Sequence, residues 1–156
     1  MITLTTFDGR LETHAIEASE IPEAISKPHL TWVNCVALGK EEVAQILRDV
    51  QEIPDFLIDD CTTKQRPKID DYESVVSVIF KQLSRNTALK TNQLNIIFGP
   101  NYVLTIFFEK TELVAAIAKQ LEKNLPRVKK MGVSYVIYHI LDAIVDSYHP
   151  LADELD

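Results

Sequence analysis

The sequence predicts an α+β fold, an α/β/α sandwich whose mixed, mainly antiparallel sheet is covered by helices on both faces. Strand-like segments occupy the start and middle of the chain, whereas helical spacing dominates the last third. Two central runs, 94–98 and 102–108, are apolar at successive positions, which is typical of strands buried on both faces. The 156 residues match one domain that can bury a core without disulfides or metals. Residues 1–156 are therefore expected to form a single domain.

Strands are predicted first along the chain. The segments 3–7 and 10–16 flank the turn pair Asp8-Gly9, and this arrangement indicates a β-hairpin. A third extended stretch, Leu30–Val36, is rich in β-branched and aromatic residues and predicts a third strand.

Two helices are expected next. Apolar residues recur with helical spacing across Gly39–Gln51, and the charged residues fall on the opposite side (apolar set: Val43, Ile46, Leu47, Val50). Pro54 stands where a short second helix could begin, and this helix is predicted to run to about Asp60.

The middle third predicts three more strands. Ser74–Leu83 is rich in Val and Ile, and it precedes the two apolar runs 94–98 and 102–108. Gly99-Pro100-Asn101 separates those two runs with residues typical of a turn, so they are expected to form a hairpin.

The last third predicts helices. One helix covers Glu112–Leu125 and ends at Pro126, and a basic link (Arg127, Lys129, Lys130) follows it. From Val133 onward apolar residues recur every three or four positions, which predicts a long C-terminal helix. Pro150 removes one backbone hydrogen bond and is expected to kink that helix near Asp146.

Composition excludes several classes of function. The chain has 16 Lys and Arg against 23 Asp and Glu, a formal charge of −7, which disfavours nucleic acid and suits a cationic partner. No apolar run approaches the length of a membrane-spanning helix, and no secretory signal opens the chain, so this segment is expected to be soluble. Cys35 and Cys61 have no metal-binding spacing and are expected to be small core residues. Phosphate-loop and hydrolase motifs are absent, so no enzyme is predicted.

Two acidic features are candidates for cation binding. On the last helix, polar residues recur at intervals of four, three, four and three opposite the apolar stripe: Asp142, Asp146, His149, Asp153 and Asp156. Like charges at these spacings repel, and a divalent cation or a basic surface would relieve the repulsion, although the spacing alone favours a solvated helix face. In the segment 65–73, Asp70 and Asp71 should point to opposite sides of an extended chain. Such a pair can bind a hard metal, transfer protons or form salt bridges.

Three runs resemble the cytosolic domain of CorA-type magnesium/cobalt transport proteins: QRPKIDDYESVVSVIFK, IIFGPNYVLTIFFE and SYVIYHILDAIVDSYHPLADELD. Upstream segments fit in the same order, so the resemblance covers about residues 30–156. It implies a homopentamer on the cytoplasmic side of the cell (inner) membrane, in which Mg²⁺ ions between neighbouring domains hold a channel closed. By position in the motif, Asp70 and Asp71 match the acids on one side of that site. Asp156 is the best placement for a third acid, with Asp146 second.

The resemblance further implies regulatory Mg²⁺, with Co²⁺ as a second candidate ion. The family's membrane helices, its Gly-Met-Asn signature and most of its stalk helix have no counterpart in this sequence, so a segment of a longer transporter is expected. Three alternatives remain open. They are an acidic module that docks a basic partner, a domain of a related zinc transporter, and a small hydrolase that pairs Asp70 or Asp71 with His139.

Overall fold

A seven-stranded sheet forms the centre of the molecule in the computed structural model, which describes residues 1–83 and 90–155. The strands are β1 (Ile2–Thr6), β2 (Glu12–Ala15), β3 (Thr31–Val36), β4 (Lys68–Asp71), β5 (Val76–Leu83), β6 (Thr91–Phe98) and β7 (Tyr102–Phe107). Their order across the sheet is β2-β1-β3-β7-β6-β5-β4. β3 and β7 run parallel, whereas the other neighbouring pairs are antiparallel. The prediction of a mixed, mainly antiparallel sheet is therefore confirmed.

Helices cover both faces of this sheet. They are α1 (Ile21–Ser26), α2 (Lys40–Asp49), α3 (Asp55–Thr62), α4 (Leu113–Lys123), α5 (Leu125–Met131), α6 (Val133–Asp146) and α7 (His149–Leu155). Helices α1 to α3 pack on one face, and α4 to α6 pack on the other. Across the described ranges, no helix has both the length and the apolar character needed to span a membrane.

Two hydrophobic cores result from the alternation of side chains along the central strands. On β3, Val33 and Cys35 join the core beneath α1 to α3, whereas Trp32 and Val36 join the core beneath α4 to α6. All six residues of β3 and all six of β7 are buried. The predicted α/β/α sandwich is thus confirmed, and both cysteines are buried and free, as expected.

Several boundaries differ from the sequence prediction. The segment 127–130, interpreted as a basic link, lies inside α5, because Pro126 falls in the first turn of that helix, where its missing backbone N–H is not needed. The expected kink near Asp146 occurs: α6 ends there, and two turn residues separate it from α7. Asp70 and Asp71, which precede the strand predicted over Ser74–Leu83, lie in a strand of their own, β4. A tight turn connects β4 to β5.

Candidate functional site

β4 is the edge strand that holds Asp70 and Asp71. It pairs only with β5, and its outer edge has no strand neighbour in the described part of the chain. The turn that joins the two strands is closed by reciprocal backbone hydrogen bonds between Tyr72 and Val75, of 2.9 and 3.2 Å. The acids therefore lie on a short strand at the border of the molecule, joined to β5 by a tight turn, where another chain could approach them.

The two aspartates point to opposite sides of the sheet. Asp70 lies opposite Ser77 on the face covered by α3, whereas Asp71 lies opposite Val76 and faces the other way. Asp71 is exposed, and so is Ile69 on the same side, with 72% of its surface accessible. This geometry agrees with the expectation that the two acids point to opposite sides of the chain.

Asp70 shares a lysine with a second carboxylate. Lys68, two residues earlier on the same side of β4, places Nζ 2.5 Å from Asp60 Oδ2 and 3.0 Å from Asp70 Oδ2. The hydrogen bond to Asp60, followed by that to Asp70, holds the pKa of the lysine above its ordinary range. Lys68 therefore stays charged and offsets part of the negative charge of Asp70. A cation that binds Asp70 must compete with this ammonium group.

An aromatic pair lies beside the acids. Tyr72 follows Asp71 directly, and its ring meets Phe56 of α3 edge-on with 5.1 Å between centroids. Burial, and then the charge of Asp70, raises the pKa of the Tyr72 phenol. Phe56 keeps 54% of its surface accessible, so the edge of the molecule near β4 combines exposed apolar and acidic groups.

The other predicted ligands lie elsewhere or outside the described residues. Asp146 ends α6, is exposed, and places Oδ1 3.9 Å from His149 Nε2. Asp156 lies outside the described residues. Where the structure describes the chain, it forms no cluster of three or more His, Cys, Asp or Glu side chains able to hold a metal ion. Asp70, Asp71 and Asp146 are accordingly not brought together within one copy.

The donor chemistry nevertheless fits Mg²⁺. This ion prefers oxygen ligands and retains several waters, so one or two carboxylates from each copy of a protein suffice. Asp71 offers an exposed carboxylate, and Asp70 offers a second one that it shares with Lys68. Within one copy, these two carboxylates lie on opposite sides of β4.

His139, considered with the aspartates for a hydrolase, has a different environment. Its ring packs edge-on against Tyr135 and Tyr138, with centroids 4.6 and 5.2 Å away. Burial lowers the pKa of His139, while the nearby charge of Asp142 opposes that shift. Among the described residues, His139 makes no ion pair with Asp70 or Asp71. The aspartate–histidine pair that a hydrolase would need is not assembled.

Sequence reasoning missed the lysine that bridges Asp60 and Asp70. The contact between Lys68 and Asp70 could have been predicted, because residues 68 and 70 of a strand lie on the same side. Asp60 could not be inferred in the same way, since its approach depends on how α3 packs against the sheet.

Comparison with known proteins identifies the family. The sequence model of the CorA-like Mg²⁺ transporter protein family matches residues 27–156. The chain belongs to this family. Among curated CorA relatives, the cobalt/magnesium transport protein CorA of Thermotoga maritima is 26% identical over 131 residues, which is 81% of this chain and 37% of that protein. YfjQ of Bacillus subtilis is 29% identical over 136 residues, which is 86% of this chain and 42% of YfjQ.

Solved CorA structures share the fold. The soluble domain of CorA from Methanocaldococcus jannaschii superposes with a TM-score of 0.69 at 21% identity, covering 99% of this chain and 60% of that chain. The cytoplasmic domain of ZntB from Vibrio parahaemolyticus gives the same TM-score at 13% identity, covering 97% of this chain and 60% of that one. The chain spans about two fifths of the length of the curated relatives it matches.

Proposed function

We propose that this chain is the cytosolic, Mg²⁺-sensing regulatory domain of a homopentameric divalent-cation channel. The observation that carries the proposal is the family match over residues 27–156, which includes the strand that bears Asp70 and Asp71. Its function is regulatory rather than enzymatic, and it acts on the cytoplasmic side of the cell (inner) membrane. Residues 1–156 form its single domain, and further segments of the protein attach it to the membrane.

In this proposal the carboxylates on the β4 edge sense the ion between neighbouring copies. Asp71 projects outward, so acids of two adjacent domains face each other and repel until a cation separates them. A bound Mg²⁺ supplies two positive charges between those carboxylates. Asp71 then holds the closed arrangement together, and loss of the ion restores the repulsion. The ion shifts the population because it binds the closed arrangement better than the open one.

Asp70 has a second role, because its carboxylate divides its interaction between Lys68 and the metal. Competition with the ammonium group lowers the affinity for the ion, and a weak site suits a sensor of millimolar Mg²⁺. Asp146 and Asp156, near the end of the chain, are the proposed remaining carboxylates. Co²⁺ is proposed as a second ion for the same oxygen donors.

Thermal unfolding with and without MgCl₂ tests the proposal. At ten times its Kd, the ion should stabilise the chain by about 1.4 kcal/mol, which for this size raises Tm by about 3–5 °C. Asp71→Asn should abolish most of this shift and any Mg²⁺-dependent self-association seen by sedimentation. The matched control is Asp8→Asn, an equal change of charge at an exposed turn residue, which should leave both responses intact.

A comparison of NaCl with MgCl₂ at equal ionic strength distinguishes a Mg²⁺ sensor from an acidic module that docks a basic partner. NaCl at the ionic strength of the MgCl₂ buffer should not reproduce the stabilisation, because a divalent site responds to the ion rather than to screening. Equal stabilisation by NaCl, or an unchanged Mg²⁺ response of the Asp71→Asn variant, would contradict the site. Parallel titrations with Co²⁺ and Zn²⁺ compare the cation preference with that of a zinc transporter domain.

A further inference from the structure

A second polar site lies away from the β4 edge, at the carboxyl ends of the parallel strands β3 and β7. β3 leads there into α2, which begins at Lys40, and β7 ends beside Phe108 and Glu109. A cavity of about 330 Å³ opens between these residues, the end of α3 and the adjoining ends of β5 and β6. In sheets that contain parallel strands, the crevice outside their carboxyl ends is the usual place for ligands.

Three lysines line this cavity, which we call the lysine cavity: Lys40, Lys64 and Lys81. None of their ammonium groups lies within 4 Å of a carboxylate oxygen of the residues that the structure describes. Lys81 is half-buried, and its Nζ donates a hydrogen bond to the amide oxygen of Gln93 at 3.2 Å. Positive charge is thus concentrated here in a chain whose formal charge is −7, and no described carboxylate forms an ion pair with these lysines.

The electrostatic environment of Lys81 supports this interpretation. Burial, and then the positive charge of Lys64, lowers the pKa of Lys81. Both causes disfavour the charged ammonium. A bound anion would counteract both, because an opposite charge nearby stabilises the charged form. Lys68, which has two carboxylate partners, shows the opposite behaviour, because its pKa lies above the ordinary range.

Polar groups of other elements complete the wall of the cavity. Thr62 and Thr63, at the end of α3, bring hydroxyl groups whose protons are directed to backbone oxygens of the same helix. Glu109 also lines the cavity, but its carboxylate accepts a 2.7 Å hydrogen bond from the Asn92 side-chain amide. Among the described residues that line the space, the three lysines therefore outnumber the acid, and their net charge is positive.

We propose that the lysine cavity binds a phosphate-bearing anion, held by Lys40, Lys64 and Lys81. Lysine is a common phosphate ligand because its ammonium is a compact point charge with three donors. The volume is at the small end of ligand sites, which suits a pyrophosphate group or the phosphates of a mononucleotide. This site uses none of the proposed metal ligands, so it extends the function beyond cation sensing.

Binding of sodium pyrophosphate to the full chain, measured by isothermal titration calorimetry, tests the proposal. The buffer contains EDTA, so that magnesium pyrophosphate cannot form and the metal site contributes nothing. We expect saturable binding, with the affinity reduced about tenfold or more by Lys81→Met and by Lys64→Gln. Lys64 is exposed, so the second variant should fold even if the first does not. Lys119→Gln, an exposed lysine of α4 outside this cavity, is the charge-matched control.

The outcomes separate this proposal from the metal sensor. Asp71→Asn should bind pyrophosphate as the unaltered chain does, even if that substitution abolishes the response to Mg²⁺. ADP that binds more tightly than pyrophosphate supports a nucleotide as the source of the phosphate, and ADP that binds no better supports a free phosphate. Absence of saturable pyrophosphate binding at millimolar concentration would overturn the proposal. Equal losses in the Lys64→Gln and Lys119→Gln variants would do so as well, since they would indicate nonspecific attraction.

Discussion

At the scale of single residues, adjacent acids on β4 acquire different environments from the backbone. Alternation along the strand turns Asp70 towards α3 and leaves Asp71 in solvent, and the sequence predicts that the two point to opposite sides. The contact between Lys68 and Asp60 was not predictable, because it depends on the packing of α3 against the sheet. The identity of the candidate acids thus follows from the sequence, whereas the charge that surrounds each of them follows from tertiary structure.

Replacing Lys68 tests how that surrounding charge affects the proposed metal site. Lys68→Met removes a positive charge next to Asp70 while keeping the length of the side chain. We expect Mg²⁺ to bind about 3- to 10-fold more tightly, because the ion no longer competes with an ammonium group. Without metal, Tm should fall at low salt and recover at high salt, because Asp60 and Asp70 then repel each other.

Titration of Mg²⁺ against unfolding temperature measures both effects. Lys27→Met, an exposed lysine between α1 and β3, changes the net charge equally and should leave the affinity unaltered. An affinity that is the same in the Lys68→Met variant as in the original chain would mean that Asp70 does not approach the ion.

At the scale of elements, the length of each helix determined whether the sequence predicted it. α2 and α6 bury several apolar residues over at least ten positions, and their periodicity predicted them. α1 has six residues and α5 has seven, too few for a periodic signal, so α1 was missed and α5 was interpreted as a link. Pro150 correctly predicted the break in the last helix, since proline disrupts a helix interior but is accepted in a first turn.

The junction between α5 and α6 depends on one glycine. Gly132 ends α5 and begins α6 with φ of +66°, a conformation that side chains with a Cβ rarely adopt. No atom lies within 4 Å of a Cβ added there, so only backbone strain opposes a substitution. We therefore expect Gly132→Ala to lower the free energy of unfolding by about 1–3 kcal/mol.

Urea denaturation of both forms measures that loss. Gly39→Ala is the matched control, because Gly39 has φ of −70° and an added Cβ would make only ordinary contact, 3.4 Å from Glu42. Its stability should change by less than about 0.5 kcal/mol. A Gly132→Ala variant as stable as this control would show that the junction changes conformation without cost.

At the scale of the whole molecule, the sheet couples two helical layers. The sequence predicted cover on both faces because the central strands are apolar at successive positions. It did not predict the strand order, because the parallel pairing of residues 31–36 with residues 102–107 joins segments far apart in the chain. That pairing also creates the lysine cavity, which no local motif signalled. The long-range contacts therefore determine both the overall topology and the second proposed site.

Because both cores share β3 and β7, the two layers should unfold together. Leu47 of α2 is fully buried on one face, and Trp32, a fluorescent probe, lies in the core of the other face. Leu47→Ala should destabilise the chain by about 2–5 kcal/mol and shift the Trp32 fluorescence transition as far as the circular dichroism transition. Gln45→Ala, an exposed change on the same helix, should shift neither transition appreciably. If the layers were independent, Leu47→Ala would leave the Trp32 transition in place, and a cation bound at the β4 edge could stabilise one layer alone. Coincident transitions instead mean that ion binding at one edge stabilises the whole domain, as the proposed sensor requires.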